Sequence, residues 1–117
     1  MELGKKEARY YIERIAPQLG HDFTRDPVYP EGRNDIGVVV HTAENGSSYG
    51  YDVLYLVWKE ADGTIRHKEL ANSSTTKDYI HLKSVTMDGD KINVQFGSGG
   101  IFSGAPWTKT EELNTKK

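Results

Sequence analysis

The sequence predicts a single α+β domain: an N-terminal amphipathic helix packed on an antiparallel sheet of about five strands, arranged as a meander or a roll. Helical periodicity is confined to the start of the chain, and runs rich in Val, Ile and Tyr separated by turns follow from Ile36 onward. A chain of 117 residues without a repeat suffices for two layers around one core. The predicted elements within 1–117 are a helix at about 4–19, a long loop at 20–35, a sheet at 36–107 and a frayed tail at 108–117.

The helix is predicted from apolar residues that recur at three- and four-residue spacing. They are Ala8, Tyr11, Ile12, Ile15, Ala16 and Leu19. Pro17 lacks the N–H that a helix interior needs, and it disfavours helical angles at the residue before it. The helix is therefore expected to end or kink at Pro17, with Gly20 as its terminator.

The loop at 20–35 has no helical or strand periodicity and contains Pro, Gly and Asp throughout. Connections of this length in a compact domain are generally functional or contain a short element of their own. We expect Phe23, Val28 and Tyr29 to attach this loop to the body of the domain.

The predicted sheet begins with a hairpin of residues 36–42 and 49–59, followed by a strand at 64–70. A second hairpin joins 79–87 to 91–96 through Asp88-Gly89, a dipeptide that suits a tight turn. A two-residue turn there places Val85 opposite Ile92, with Val94 and Phe96 on the same buried face. This order of elements is similar to that of cystatin-like rolls, and element order alone implies no function.

The strand at 64–70 has charged residues on both of its faces, since Arg66 and Lys68 alternate with His67 and Glu69. A strand without an apolar face is typical of a sheet edge, where charges discourage uncontrolled pairing. This edge is the expected surface for partner docking or weak self-association, and the chain is expected to be a monomer or a weak dimer.

Tyrosines are concentrated on one side of the strand at 49–59, where Tyr51 and Tyr55 alternate with apolar residues of the other side. A two-residue turn before the next strand sets Tyr55 opposite Leu70, and a bulged turn sets it opposite Glu69. Tyrosines beside polar groups offer rigid contact area and hydroxyls for recognition. The candidate binding residues are Tyr51, Tyr55, His67 and Trp107, with Trp107 as a lid or anchor. If the helix covers this face, the tyrosines instead cap the core.

Composition narrows the function classes. The absence of cysteine excludes disulfides, thiolate metal sites and a cysteine nucleophile. A formal charge of −2 with interspersed signs provides no basic footprint for nucleic acid or anionic lipid. The longest apolar run, 53–58, is too short to span a membrane. The N-terminus does not resemble a secretory signal, so a cytoplasmic location is expected.

Catalytic, metal and cofactor motifs are not found in the sequence, so no catalytic residue, metal or cofactor is predicted. His41, His67 and His81 lie 26 and 14 residues apart, outside any recognisable ligand spacing. The glycines at 97–100 follow a strand and lack the spacing of a phosphate loop.

These observations favour a non-enzymatic binding or interaction module for a protein or small-molecule partner. The alternative is a small hydrolase or metal-assisted enzyme that uses loop carboxylates with His21, His41 or His81. That alternative requires three ligating side chains to converge, or a carboxylate and a histidine to share a desolvated pocket.

Overall fold

The structure, a computed structural model, describes residues 2–44, 46, 50–73, 79–98 and 107–112, with backbone alone for residue 98 and for 107–112. One helix and seven strands occur in these ranges. They are α1 (Lys5–Ile15), β1 (Phe23–Thr24), β2 (Ile36–Glu44), β3 (Gly50–Lys59), β4 (Ile65–Asn72), β5 (Ile80–Asp88), β6 (Lys91–Ser98) and β7 (Trp107–Glu112). The predicted α+β class, with a helix before antiparallel strands, is confirmed.

The strands form two antiparallel sheets where the sequence predicted one. The first sheet has the order β1-β2-β3-β4, and the second sheet has the order β5-β6-β7. The prediction of about five strands is roughly right. The two additional strands are β1, a two-residue strand within the predicted loop, and β7, which continues into the predicted tail at 108–112.

The first sheet is the middle of three layers, with α1 on one face and the second sheet on the other. Successive side chains of β3 point to opposite faces, so Tyr55 packs in the cluster beneath α1 and Leu56 packs in the cluster between the sheets. The expectation of one core was wrong because β2 and β3 are covered on both faces. Both strands are buried almost throughout their lengths.

Helix α1 ends at Ile15, four residues before the predicted end. Ala16 has extended angles (φ −78°, ψ 157°), as expected for a residue that precedes proline. Leu19 therefore lies beyond the helix and is exposed. At the other end, the Glu7 carboxylate accepts a hydrogen bond from the Gly4 amide at 3.2 Å and thereby caps the first turn.

The long loop follows the outer edge of β2. Its strand β1 pairs with β2, and Val28 forms a further bridge with Val38. Phe23 and Val28 attach the loop to the body of the domain, as predicted, but they do so by backbone pairing with β2, and their side chains are exposed. Tyr29 packs against the helix-side core, as predicted, and Thr24 is the buried residue of β1. Backbone pairing attaches the rest of the loop.

The β5–β6 hairpin turns one residue later than predicted, at Gly89-Asp90, with Asp88 opposite Lys91. Val85 consequently pairs with Val94, and the predicted pairing of Val85 with Ile92 was wrong. Gly89 has φ +62°, a value that glycine tolerates without strain. The prediction of the buried face was correct, because three residues of β6 point into the core: Ile92, Val94 and Phe96.

Strand β4 is the last strand of the first sheet, as the charged sequence predicted. Its register with β3 is the bulged alternative, with Tyr55 opposite Glu69 and Val57 opposite His67. Glu69 and His67 therefore share the helix-side face of the sheet, and Lys68, opposite Leu56, belongs to the other face.

We expect the chain to sediment as a monomer across a concentration series. When two copies of an edge strand pair across a two-fold axis, directly opposed residues share a face. In a pairing centred on His67, Lys68 of one copy lies opposite Arg66 of the other. In a pairing centred on Lys68, the two Lys68 side chains lie opposite each other, and in a pairing centred on Glu69 the two Glu69 side chains do. Like charges directly opposed destabilise a sheet.

The substitution His67→Pro removes an N–H from β4 and should leave sedimentation unchanged. A dimer in the wild type that His67→Pro dissociates would contradict the charge argument.

No helix within the described residues is long and apolar enough to cross a membrane.

Candidate functional site

The predicted aromatic face lies beneath α1. Tyr55 is 4% exposed and packs with the helix-side core, and the half-buried Tyr51 packs against the same cluster. This is the arrangement in which the tyrosines cap the core. Tyr55 consequently presents almost no surface to a partner.

His67 is the exposed member of this group and connects the helix to β4. A hydrogen bond of 2.6 Å joins Tyr11 Oη to His67 Nδ1, and the Tyr11 and Tyr55 rings meet the imidazole edge-on at 5.4 and 5.9 Å. Trp107 begins β7, opposite Phe96 in the second sheet, and its side chain lies outside the described residues. The structure thus brings three of the four predicted residues together on the first sheet.

Burial of Tyr55 predicts a pH dependence of stability. Desolvation, followed by the nearby Glu69 and Tyr51, raises the pKa of Tyr55 from 10.0 to about 12. Between these values the unfolded chain loses the phenol proton that the folded chain keeps, so the free energy of unfolding falls as the pH rises. The contribution is at most about 1.4 kcal/mol per pH unit.

Urea unfolding at alkaline pH should therefore show a shallower loss of stability for Tyr55→Phe than for the wild type. Tyr10→Phe, at a tyrosine that is 63% exposed, is the matched control and should follow the wild type. Equal slopes for Tyr55→Phe and the wild type would show that burial does not hold the Tyr55 phenol protonated.

A buried carboxylate, Asp52 of β3, connects the two sheets. Its side chain accepts hydrogen bonds of 2.6 Å from the Thr42 hydroxyl and of 2.6 Å from the Ile80 amide of β5. The hydroxyl of Ser73 accepts from the Asp52 amide at 2.9 Å. Asp52 is fully buried, and these partners compensate for the loss of its hydration.

His41, one of the candidate histidines of the enzyme alternative, is buried at the same end of β2. Its Nε2 donates to the Pro17 carbonyl at 3.1 Å, because a carbonyl oxygen only accepts. A second hydrogen bond, of 2.7 Å, joins Nδ1 to the Thr24 hydroxyl. Through Nε2 the ring attaches Pro17, in the segment after α1, to β2. Through Nδ1 it connects β1 to β2.

The enzyme alternative predicted that a carboxylate and a histidine would share a desolvated pocket. Asp22 Oδ2 lies 3.9 Å from His41 Nε2, and both side chains are largely buried. Neither residue lines the groove beside β5 or the shallower one beside α1. Asp22 is engaged as an acceptor for the amides of Leu19 and Glu44. The pair has the bonding of a structural contact.

The other candidate histidines do not join this pair. His21 lies against Gly46, where an added Cβ would stand 2.7 Å from the imidazole, and His81 is on β5. In the described part of the chain, no three His, Cys, Asp or Glu side chains converge in a way that could hold a metal ion.

A groove of about 600 Å³ separates β5 from the loop segment that follows β1. Its floor is apolar and includes Val38 and Val40 of β2. One wall is formed by Arg25, Asp26 and Val28, and the opposite wall is the run from Tyr79 to Ser84. Concave sites with an apolar floor and a few polar groups at the rim are typical of ligand binding.

The rim of the groove carries more positive than negative groups. Arg25 is held by a 2.9 Å hydrogen bond to the Thr42 hydroxyl and lies over the Phe23 ring at 5.7 Å. Lys83 and His81 line the opposite wall, and Asp26 forms an ion pair with Arg9 at 3.3 Å. The groove is therefore suited to a ligand with an apolar body and an anionic group.

Sequence reasoning missed this groove because its walls come from segments about 50 residues apart. The sequence indicated the loop carboxylates only as general candidates for catalysis, and it indicated β5 only as part of a hairpin.

No protein-family model, no curated protein and no solved structure matches this chain. Its function must therefore be inferred from its own residues.

Proposed function

We propose that this protein is a non-enzymatic binding module whose ligand site is the groove between the loop segment 25–28 and β5. The observation that carries the proposal is the combination of an apolar floor with the cations Arg25 and Lys83 on opposite walls. The apolar floor favours burial of an apolar ligand surface, and the cations favour an anionic group beside it.

The groove replaces the tyrosine face as the proposed contact surface. Tyr55 is buried beneath α1, and His67 is engaged with Tyr11, so these residues support the position of the helix. The groove, in contrast, includes exposed apolar side chains, Val28 and Tyr79, at its opening. Exposed apolar surface in a concave site is typical of an interaction surface.

The proposal predicts saturable binding of an anilinonaphthalene sulfonate dye, which combines an apolar ring system with one negative charge. Val28→Trp places a bulky ring at the opening of the groove and should weaken dye binding at least tenfold. Ile15→Trp, at a position of comparable exposure on α1, is the matched control and should bind the dye like the wild type.

Fluorescence titration measures the affinities, and urea unfolding of each variant verifies that the fold is intact. Equal dye affinity for Val28→Trp, Ile15→Trp and the wild type would contradict the groove as the ligand site.

A further inference from the structure

We propose that the groove binds an extended, acidic peptide segment, which pairs with the open edge of β5 as an additional strand. This proposal rests on the groove being the ligand site and specifies the class of partner. Strand addition to a sheet edge is a recurring mode of peptide recognition, in which backbone hydrogen bonds provide affinity and side-chain pockets provide specificity.

The groove follows an edge of β5 rather than one of its faces. Neighbouring side chains of a strand point to opposite faces, so a groove against a face is lined by every second residue. Six consecutive residues, from Tyr79 to Ser84, line this groove. Within the described residues β5 is also the terminal strand of the second sheet, paired only with β6.

The hydrogen bond of Ile80 identifies the side of β5 that is open. Its amide donates to Asp52 Oδ2 at 2.6 Å, so its backbone points away from β6. In an antiparallel ladder, alternate residues direct their N–H and C=O groups to the same side. Leu82, two residues further along and still in the same register with β6, therefore presents its amide to the open edge, just before the bulge between Leu82 and Ser84. Asp52 occupies the place of a neighbouring strand at Ile80 and ends the available edge there.

The opposite wall of the groove is already paired. The Arg25 amide donates to the Val40 carbonyl at 3.1 Å, and Val28 and Val38 exchange two bonds of 2.9 Å. The outer edge of β2 is covered in this way, so an incoming strand would add to β5. Its inner side chains would rest on the valine floor.

Length and charge determine the class of peptide. The edge that remains beside the groove runs from His81, past the Ile80 amide that Asp52 occupies, to Ser84, with a bulge between Leu82 and Ser84. At about 3.3 Å per residue these residues extend over about 10 Å, which accommodates about three residues of an added strand. Arg25 and Lys83 carry positive charge on the two walls, and Asp26 forms an ion pair with Arg9. Carboxylates on the added strand would complement these cations.

Selection from a displayed library of random heptapeptides tests this proposal. We expect wild-type protein to enrich peptides in which apolar residues alternate with Asp or Glu, and Lys83→Glu to weaken their binding at least tenfold. Lys68→Glu, on the edge strand β4 of the first sheet, is the matched control and should leave binding unchanged. Methylation of alternate peptide nitrogens should abolish binding, because it removes the donors to the β5 edge.

Hydrogen exchange of the complex identifies the edge that is used. The Leu82 amide should become at least tenfold more protected when an enriched peptide saturates the protein, and the amides of β4 should not change. Enrichment of peptides that protect β4, or that tolerate N-methylation at every position, would overturn strand addition to β5. Dye binding in the groove without any peptide enrichment would overturn this proposal and leave the proposed function standing. Loss of both would overturn both.

Discussion

Replacement of Asp52 by Ala should lower the free energy of unfolding by about 3–6 kcal/mol, because hydrogen bonds to a charged group contribute about 1.5–3 kcal/mol each. Two such bonds are lost, one to the Thr42 hydroxyl and one to the Ile80 amide. Both donors are then left buried without an acceptor. The effect is large because the carboxylate is the polar connection between the two sheets.

Asp88→Ala is the matched control for this prediction, since Asp88 is exposed at the end of β5. Urea unfolding at neutral pH should show a change within about 0.5 kcal/mol for Asp88→Ala, as is usual for surface positions. A loss below 1 kcal/mol for Asp52→Ala would mean that water replaces the carboxylate and that Asp52 does not join the sheets.

Asp52 is also connected to the groove through Thr42. Thr42 donates to Asp52 and accepts from Arg25, so the rim cation and the buried carboxylate share one hydroxyl. Asp52→Asn keeps the size of the side chain and one oxygen acceptor but removes the charge. We expect it to lower stability less than Asp52→Ala does. The Ile80 amide should exchange faster in both variants.

Phe96→Ala should lower the free energy of unfolding by about 3–5 kcal/mol, the usual cost of removing a buried aromatic ring. Phe96 is 1% exposed and lies in the core between the sheets, together with residues such as Leu56 and Ile92. A cavity there weakens contacts from both sheets at once, since the ring is surrounded by side chains of each.

Phe23→Ala provides the same chemical change at an exposed site, because Phe23 is 55% exposed on β1. The free energy of unfolding of Phe23→Ala should fall by no more than about 1 kcal/mol, the scale of the cation–π contact between Phe23 and Arg25. Thermal or urea unfolding of the two variants in parallel is the measurement. Similar losses for both would show that the second sheet does not pack on the first in the way described.

Local patterns were sufficient for several elements of this fold. The spacing of Ala8 and Ile12 identified the buried face of α1, since a helix brings residues four apart onto one side. Pro17 indicated where the helix ends, because proline restricts the residue before it. The alternation of Ile92, Val94 and Phe96 identified the buried face of β6.

Register and turn position were less accessible to sequence reasoning. Both Asp88-Gly89 and Gly89-Asp90 are acceptable two-residue turns, and pairing of the whole hairpin selected the latter. For β4, two registers were predicted; the Tyr55–Glu69 register holds from the turn as far as Tyr55, and the bulge between Leu54 and Tyr55 then shifts the pairing by one residue. A bulge inserts an extra residue into one strand of a pair, so its position depends on how two strands pair and not on either strand alone.

The sequence by itself determined the α+β class, the helix, the main strands and the charged edge β4, because each depends on periodicity or turn chemistry within one segment. Only the tertiary structure decided that the strands divide into two sheets, that α1 covers Tyr55, and that Asp52 joins the sheets through Ile80. The groove, too, was decided only by the tertiary structure. It exists because the loop after β1 pairs with β2 beside β5, which in the described part of the chain pairs only with β6. Such an arrangement arises from contacts between distant segments.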